Sequence, residues 1–250
     1  QRQMSIRDRV IGEGEFTAVE LLDSIRDKTP FSHIEGMAYI NAANEFIKTP
    51  KRKACKIDTL PMINWDLFDK DKYFRQEKHF AGAQGLVMEG EKLPVIMPVS
   101  SARGCAFKCT FCHYVFWDDP YRHRSSESIL TEIKRNIEEY GATYIRFWDD
   151  LTFAGLKQAE NLVDAILESG LKFDWSAAIR ADLFGHSRFT YERRLEVAKK
   201  FKASGCKQVG YSLETGSPEI LKMMNKRVEV SYFLEQTELL REAGIPVGTS

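Results

Sequence analysis

Residues 143–170, TYIRFWDDLTFAGLKQAENLVDAILESG, hold one complete copy of the unit that builds most of this chain. Residues 143–148 are rich in aromatic and β-branched side chains, as a strand requires. Asp149 and Asp150 interrupt that run. Leu156, Ala159, Leu162, Val163, Ile166 and Leu167 then recur at the spacing of one helical face, and Gly170 provides a helix stop. Strand, loop, helix and glycine thus follow one another as a βα unit.

The unit recurs on both sides of this copy. Further strands are predicted at residues 95–100, 173–179, 208–213 and 246–249. Helical apolar spacing is carried by Ile129, Ile133 and Ile137, by Leu195, Ala198 and Phe201, and by Phe233, Leu234, Thr237 and Leu240. Gly141, Gly205 and Gly244 close these helices as Gly170 closes the first. Alternating strands and helices force parallel neighbours with right-handed crossovers, giving an α/β fold that is either an open doubly wound sheet or a barrel. Both place ligands at the carboxyl ends of the strands. Cys105, Asp149 and Asp150, Arg180 and Glu214 fall at the ends of the first four strands in turn.

Residues 1–93 lack the repeat. They read as a turn, Ile11-Gly-Glu-Gly-Glu15, a helix from about Thr17, a hairpin of residues 37–42 and 45–49 around Asn44, and a loop-rich passage through Pro61 and Trp65. We expect a small mixed linker subdomain over 1–93 and a βα core over 94–250. The chain opens at Gln1 and stops at Ser250 in what looks like an unfinished strand, so it reads as an excerpt incomplete at both ends.

Lysine plus arginine and aspartate plus glutamate number 36 each. The formal charge is therefore zero, and no global field points to nucleic acid or an anionic membrane. No apolar run approaches the roughly 20 residues of a membrane span, no leader pattern opens the chain, and the expected location is cytoplasmic.

Three of the five cysteines lie within Gly104-Cys-Ala-Phe-Lys-Cys-Thr-Phe-Cys112, spacing that turns three thiolates toward one metal centre. A structural zinc site wants four closed ligands, and a ferredoxin-type centre wants a fourth cysteine. An iron–sulfur cluster with one open iron fits three ligands; a zinc module and an electron carrier are the alternatives. Cys55 and Cys206 stand alone and read as small structural side chains.

Cys-x3-Cys-x-aromatic-Cys after the first strand of a βα-repeat chain resembles the radical S-adenosylmethionine (SAM) superfamily. The resemblance covers residues 94–250 and implies a partial (β/α) barrel with a [4Fe-4S] cluster on Cys105, Cys109 and Cys112, the open iron taking the amino and carboxylate groups of SAM. It further implies that Phe111 packs on the adenine and that Asp149 or Asp150, replacing a glycine-rich motif, meets the amine. Period-two alternation sends one of this pair inward, and Asp150 is our choice. Arg180 would pair with the SAM carboxylate or else form a structural salt bridge. Glu214, with Ser212 two residues earlier, would accept from the ribose. Residues 218–226 resemble a helix shared by cobalamin-linked members and methylthiotransferases, with Met223 and Met224 read as core. His113, Tyr114, Trp117 and Tyr121 would line the substrate side or shield the cluster, and Arg122 and Arg124 would face an anionic substrate or solvent.

The passage before the core also resembles one branch. Residues 10–15, 34–39, 58–61 and 66–67 match in order the segment joining a cobalamin-binding domain to the radical SAM barrel. The resemblance implies an enzyme that cleaves SAM to a 5′-deoxyadenosyl radical for C–H activation, with methyl transfer from cobalamin or ring formation as outcomes. Cobalamin would be bound mainly by a domain outside this chain. A flavodoxin- or ferredoxin-type reductant and a small-molecule substrate complete the expectation, with nucleic acid outside it. A methylthiotransferase is the alternative within the superfamily.

Overall fold

The computed structural model describes residues 9–70, 72, 73, 94–112, 120–186 and 188–249. The chain separates into two compact units, one through Lys56 and one from Ile57 onward. Residues 57–70, which the sequence places in the linker, cluster with the larger unit.

In the smaller unit β1 (Arg9–Val10), β2 (Met37–Ile40) and β3 (Phe46–Lys48) form an antiparallel sheet in that order. The predicted hairpin turns at Asn44, whose φ is 60°. The side-chain oxygen of Asn41 accepts from the N–H groups of Ala43 and Glu45, a local bond that asparagine offers readily. α1 (Glu15–Asp27) starts slightly ahead of Thr17. β1 is too short to show alternation, and the sequence reading does not contain it.

The larger unit follows the predicted repeat. After β4 (Ile96–Val99), β5 (Ala102–Arg103) and β6 (Arg122–His123) come α2 (Ser126–Tyr140), β7 (Tyr144–Phe147), α3 (Leu156–Ser169) and β8 (Asp174–Ala178). α4 (Tyr191–Ala203), β9 (Cys206–Tyr211), α5 (Pro218–Met223), α6 (Val230–Glu242) and β10 (Val247–Thr249) complete it. The main sheet is parallel throughout, in the order β10-β9-β8-β7-β4. This order never reverses, so there is no switch point and the crossover helices fall on one face. Apolar side chains of that face, among them Met97, Ile145, Trp175 and Val209, share one core with Ile133, Val163, Phe201 and Leu239 from the helices. The arrangement is that of a partial (β/α) barrel rather than a doubly wound sheet. On the opposite face Pro98, Arg146, Ser176 and Gln208 stand side by side in register.

Gly141 and Gly170 cap α2 and α3, while Gly205 and Gly244 lie one residue beyond the caps Ser204 and Ala243. Gly205 is dictated twice over. Its φ is +96°, and a Cβ there would meet the Phe173 carbonyl oxygen at 2.3 Å.

The β5–β6 pair is absent from the sequence reading and matters most for the site. It is antiparallel, Ala102 opposite His123 and Arg103 opposite Arg122, and so joins the two ends of the loop that carries the cysteines. Arg124 locks this base. Its guanidinium pairs with the buried Glu132 of α2 and donates to the Ser100 carbonyl at 3.0 Å. Arg124 is thus neither solvated nor turned to a substrate, because α2 offers a matching buried charge.

Candidate functional site

All five cysteines lie outside disulfides. Cys206 is buried within β9, and burial pushes its thiol up, in keeping with a structural side chain. Cys55 belongs to the smaller unit. Among the described residues the loop therefore offers three thiols, all half-buried, and no fourth cysteine. Among the described residues no three His, Cys, Asp or Glu side chains, these cysteines included, are gathered closely enough to hold a metal ion.

The loop's start and end are fixed differently. Asp149, just past β7, binds the turn that leads into the loop: its carboxylate accepts from the N–H of Ser101 at 2.9 Å, the N–H of Ala102 at 3.1 Å, and the hydroxyls of Ser101 and Ser100 at 2.5 and 3.1 Å. Burial pushes this carboxyl up against the pull of those donors. At the far end the Tyr121 hydroxyl donates to the Thr152 carbonyl at 2.9 Å and is pushed up to about 12 by burial. Tyr121 serves as an anchor; His113, Tyr114 and Trp117 lie outside the described residues.

Between these ends the loop is held from across the sheet. Cys112 N–H closes a tight turn on the Cys109 carbonyl at 3.1 Å. Thr110 N–H donates to the Met224 carbonyl at 2.9 Å, and Asn225 Nδ2 donates to the Lys108 carbonyl at 2.8 Å. Met223 is 73% exposed, which corrects its reading as core: α5 ends there, and Met224 and Asn225 grip the cysteine loop through a backbone carbonyl and a side-chain amide.

Arg180 sits under the same loop. Its guanidinium is bidentate on Asp182, at 2.9 and 3.1 Å, donates to the Lys226 carbonyl at 2.8 Å, and stacks 3.4 Å from the Phe107 ring centroid. Burial pushes the Cys105 thiol up, the Phe107 N–H opposes it, and Cys109, Arg180 and Cys112 also act on it. The three sulfurs and the guanidinium therefore share one electrostatic neighbourhood. A cavity of about 340 Å³ opens beside Phe107, with Phe153, Arg180, Asp182 and Arg227 in its wall.

β9 ends at Tyr211 and Glu214 has φ 74°, so the alternation expected to align Ser212 with Glu214 does not reach that far. Ser212 is half-buried. Glu214 Oε1 accepts from Lys226 Nζ at 2.6 Å, and the same ammonium lies 5.7 Å from the ring centroid of Phe111, itself 52% exposed. Asp150 is exposed beside the engaged Asp149. The fold thus brings Phe111, Arg180 and Glu214 around Lys226 and the cysteine loop. Lys226, Asn225, Asp182 and the role of Asp149 have no signal in the sequence, because each acts on a distant partner. Three soft thiol donors on one accessible loop, with no fourth cysteine among the described residues, fit an iron–sulfur cluster with an open iron better than a closed zinc cage.

Among the described residues no helix is long and apolar enough to cross a membrane. Residues 99–250 match the family model described as the Radical SAM superfamily. The uncharacterized methyltransferase PH0819 of Pyrococcus horikoshii is 27% identical over 246 residues, 98% of this chain and 48% of that protein. The anaerobic magnesium-protoporphyrin IX monomethyl ester cyclase of Cereibacter sphaeroides is 24% identical over 244 residues, 94% of this chain and 36% of that protein. The chain thus spans about half the length of these relatives or less. In fold it is similar to the cobalamin-dependent S-adenosylmethionine radical enzyme OxsB, with a TM-score of 0.75 and 18% identity over 95% of this chain and 32% of that one. With three cysteines at the head of a parallel βα sheet and a family match over more than half its length, the chain belongs to the radical SAM superfamily, whose cofactors are a [4Fe-4S] cluster and SAM.

Proposed function

We propose that this chain is the SAM-cleaving part of a cobalamin-dependent enzyme that methylates or ring-closes a small molecule. The observation that carries the radical SAM part is the three-thiol loop, pinned over the carboxyl ends of the strands beside Phe111, Arg180 and Glu214. Cys105, Cys109 and Cys112 are assigned to the cluster, and Phe111, Asp150, Arg180, Ser212 and Glu214 to SAM. When bound, the cluster and SAM together supply a 5′-deoxyadenosyl radical that takes a hydrogen atom from carbon. The chain's own residues bind and orient. The Nε–Nη2 edge of Arg180 is already in a salt bridge with Asp182, so a SAM carboxylate would meet the remaining Nη1; Lys226 holds the Glu214 carboxylate for hydroxyl donors, and Phe111 offers an aromatic face.

The cobalamin part is supported by the likeness to OxsB, which extends across 95% of this chain and so includes residues ahead of the barrel. The methyltransferase and cyclase names of the two relatives support the choice of outcomes. A flavodoxin- or ferredoxin-type reductant, a small molecule rather than nucleic acid as substrate, and a cytoplasmic location belong to the same proposal.

The test is anaerobic reconstitution followed by SAM and dithionite, with 5′-deoxyadenosine measured by mass spectrometry. Formation above a Cys109→Ala control, with a SAM-dependent change in the spectrum of the reduced cluster, is the expected result. A cluster indifferent to SAM, or equal iron in the control, refutes the assignment.

A further inference from the structure

Lys226 is only 8% exposed, and a lysine so withdrawn from water is costly unless its charge is matched. Its ammonium meets Glu214 Oε1 at 2.6 Å and lies 5.7 Å from the Phe111 ring centroid, while its main-chain oxygen accepts from Arg180. Three side chains assigned to SAM therefore converge on one residue that has no assigned role. The backbone around it is unusual. Glu214, Asn225 and Arg227 all have positive φ, at 74°, 51° and 54°, a left-handed conformation that asparagine adopts readily but that glutamate and arginine keep only where surrounding contacts enforce it. Asn225, next to Lys226, is tied by its side chain to the cysteine loop at Lys108.

We propose that Lys226 is a positioning residue for SAM: it fastens the Glu214 carboxylate to the aromatic that precedes the third cysteine, so that the strand end and the cysteine loop meet SAM as one preformed surface. The inference rests on the radical SAM reading of the site. Without the ammonium, the Glu214 side chain, 31% exposed, is free to turn to water. SAM would then have to order both groups on binding, a cost that preorganisation removes.

The test uses the anaerobically reconstituted protein and the variants Lys226→Met, Lys226→Arg, Glu214→Gln and the Met/Gln double variant. Iron per chain, the SAM dissociation constant by equilibrium dialysis, and the SAM-induced change in the reduced-cluster EPR signal are read for each. Lys226→Met is expected to keep wild-type iron while its SAM affinity falls ~10-fold or more, the size of one charge-assisted hydrogen bond. Lys226→Arg should recover most of the affinity, and the double variant should bind no worse than the weaker single one, because the two residues act as a unit. Wild-type affinity in Lys226→Met overturns the proposal, as do losses that multiply in the double variant. Loss of iron from both lysine variants overturns it too, since it would assign Lys226 to the loop's fold alone. Failure of the wild-type protein to bind SAM overturns the underlying reading and this one with it, whereas wild-type-like binding by Lys226→Met overturns only this one.

Discussion

Replacing Asp149 by alanine should both destabilise the larger unit and weaken its hold on the cluster. The carboxylate accepts four hydrogen bonds. The hydroxyls of Ser100 and Ser101 can rotate to other acceptors, but the backbone N–H groups of Ser101 and Ala102 cannot, and those residues are only 2% and 4% exposed. A buried donor left without a partner costs about 1–3 kcal/mol, so with two such donors Asp149→Ala should lose ~2–6 kcal/mol. Asp149→Asn retains one acceptor but turns an amide N–H₂ toward donors, and should lose about half as much. Urea unfolding of the metal-free protein, followed by far-UV circular dichroism, measures these losses without interference from the cluster. Because the turn at 100–102 sets β5, and β5 with β6 closes the base of the cysteine loop, the alanine variant should also hold less iron after reconstitution. A loss below ~0.5 kcal/mol, within the usual range of an unimportant surface change, would refute the reasoning.

Gly205→Ala should be far more damaging than Gly141→Ala, although both glycines have positive φ: a Cβ at 205 meets the Phe173 oxygen at 2.3 Å, while at 141 nothing lies within 4 Å. Urea midpoints should show a loss of ~1 kcal/mol at 141 and ~3 kcal/mol or more at 205, and equal losses would show that the close approach is not decisive. Glu160, 4% exposed, is held below the usual carboxylate range first by Lys200 and then by Arg193, against the effect of burial. A carboxyl depressed in the folded state contributes stability that is complete above its ordinary value of 4.5 and is lost as pH falls below it. Glu160→Gln should therefore flatten the acid limb of the melting temperature as pH falls below 4.5; an unchanged slope would contradict this.

The sequence by itself determined the βα repeat, the parallel sheet and the place of the three cysteines at its head, with each strand lying within two residues of its predicted bounds. Periodicity and helix stops are local properties, written within a single turn or strand. Periodicity alone leaves the choice between a doubly wound sheet and a barrel open, since that depends on strand order, and it was the family resemblance that pointed to the partial barrel; neither contains β5 and β6, which are too short to alternate. Alternation favours Asp150 over Asp149 for SAM; β7 ends at Phe147, before that alternation reaches the pair, and it is the donors of the neighbouring turn that engage Asp149. Arg124 found Glu132 in place of solvent. Only the tertiary structure decided which groups meet: Asn225 and Lys108 lie 117 residues apart, and Ser101 and Asp149 lie 48 apart. Such contacts follow from how the strands stack and where each loop is thrown, so no window of sequence contains them, and Lys226 acquires its importance only when the strand-end carboxylate, the arginine and the cysteine loop have been folded around it.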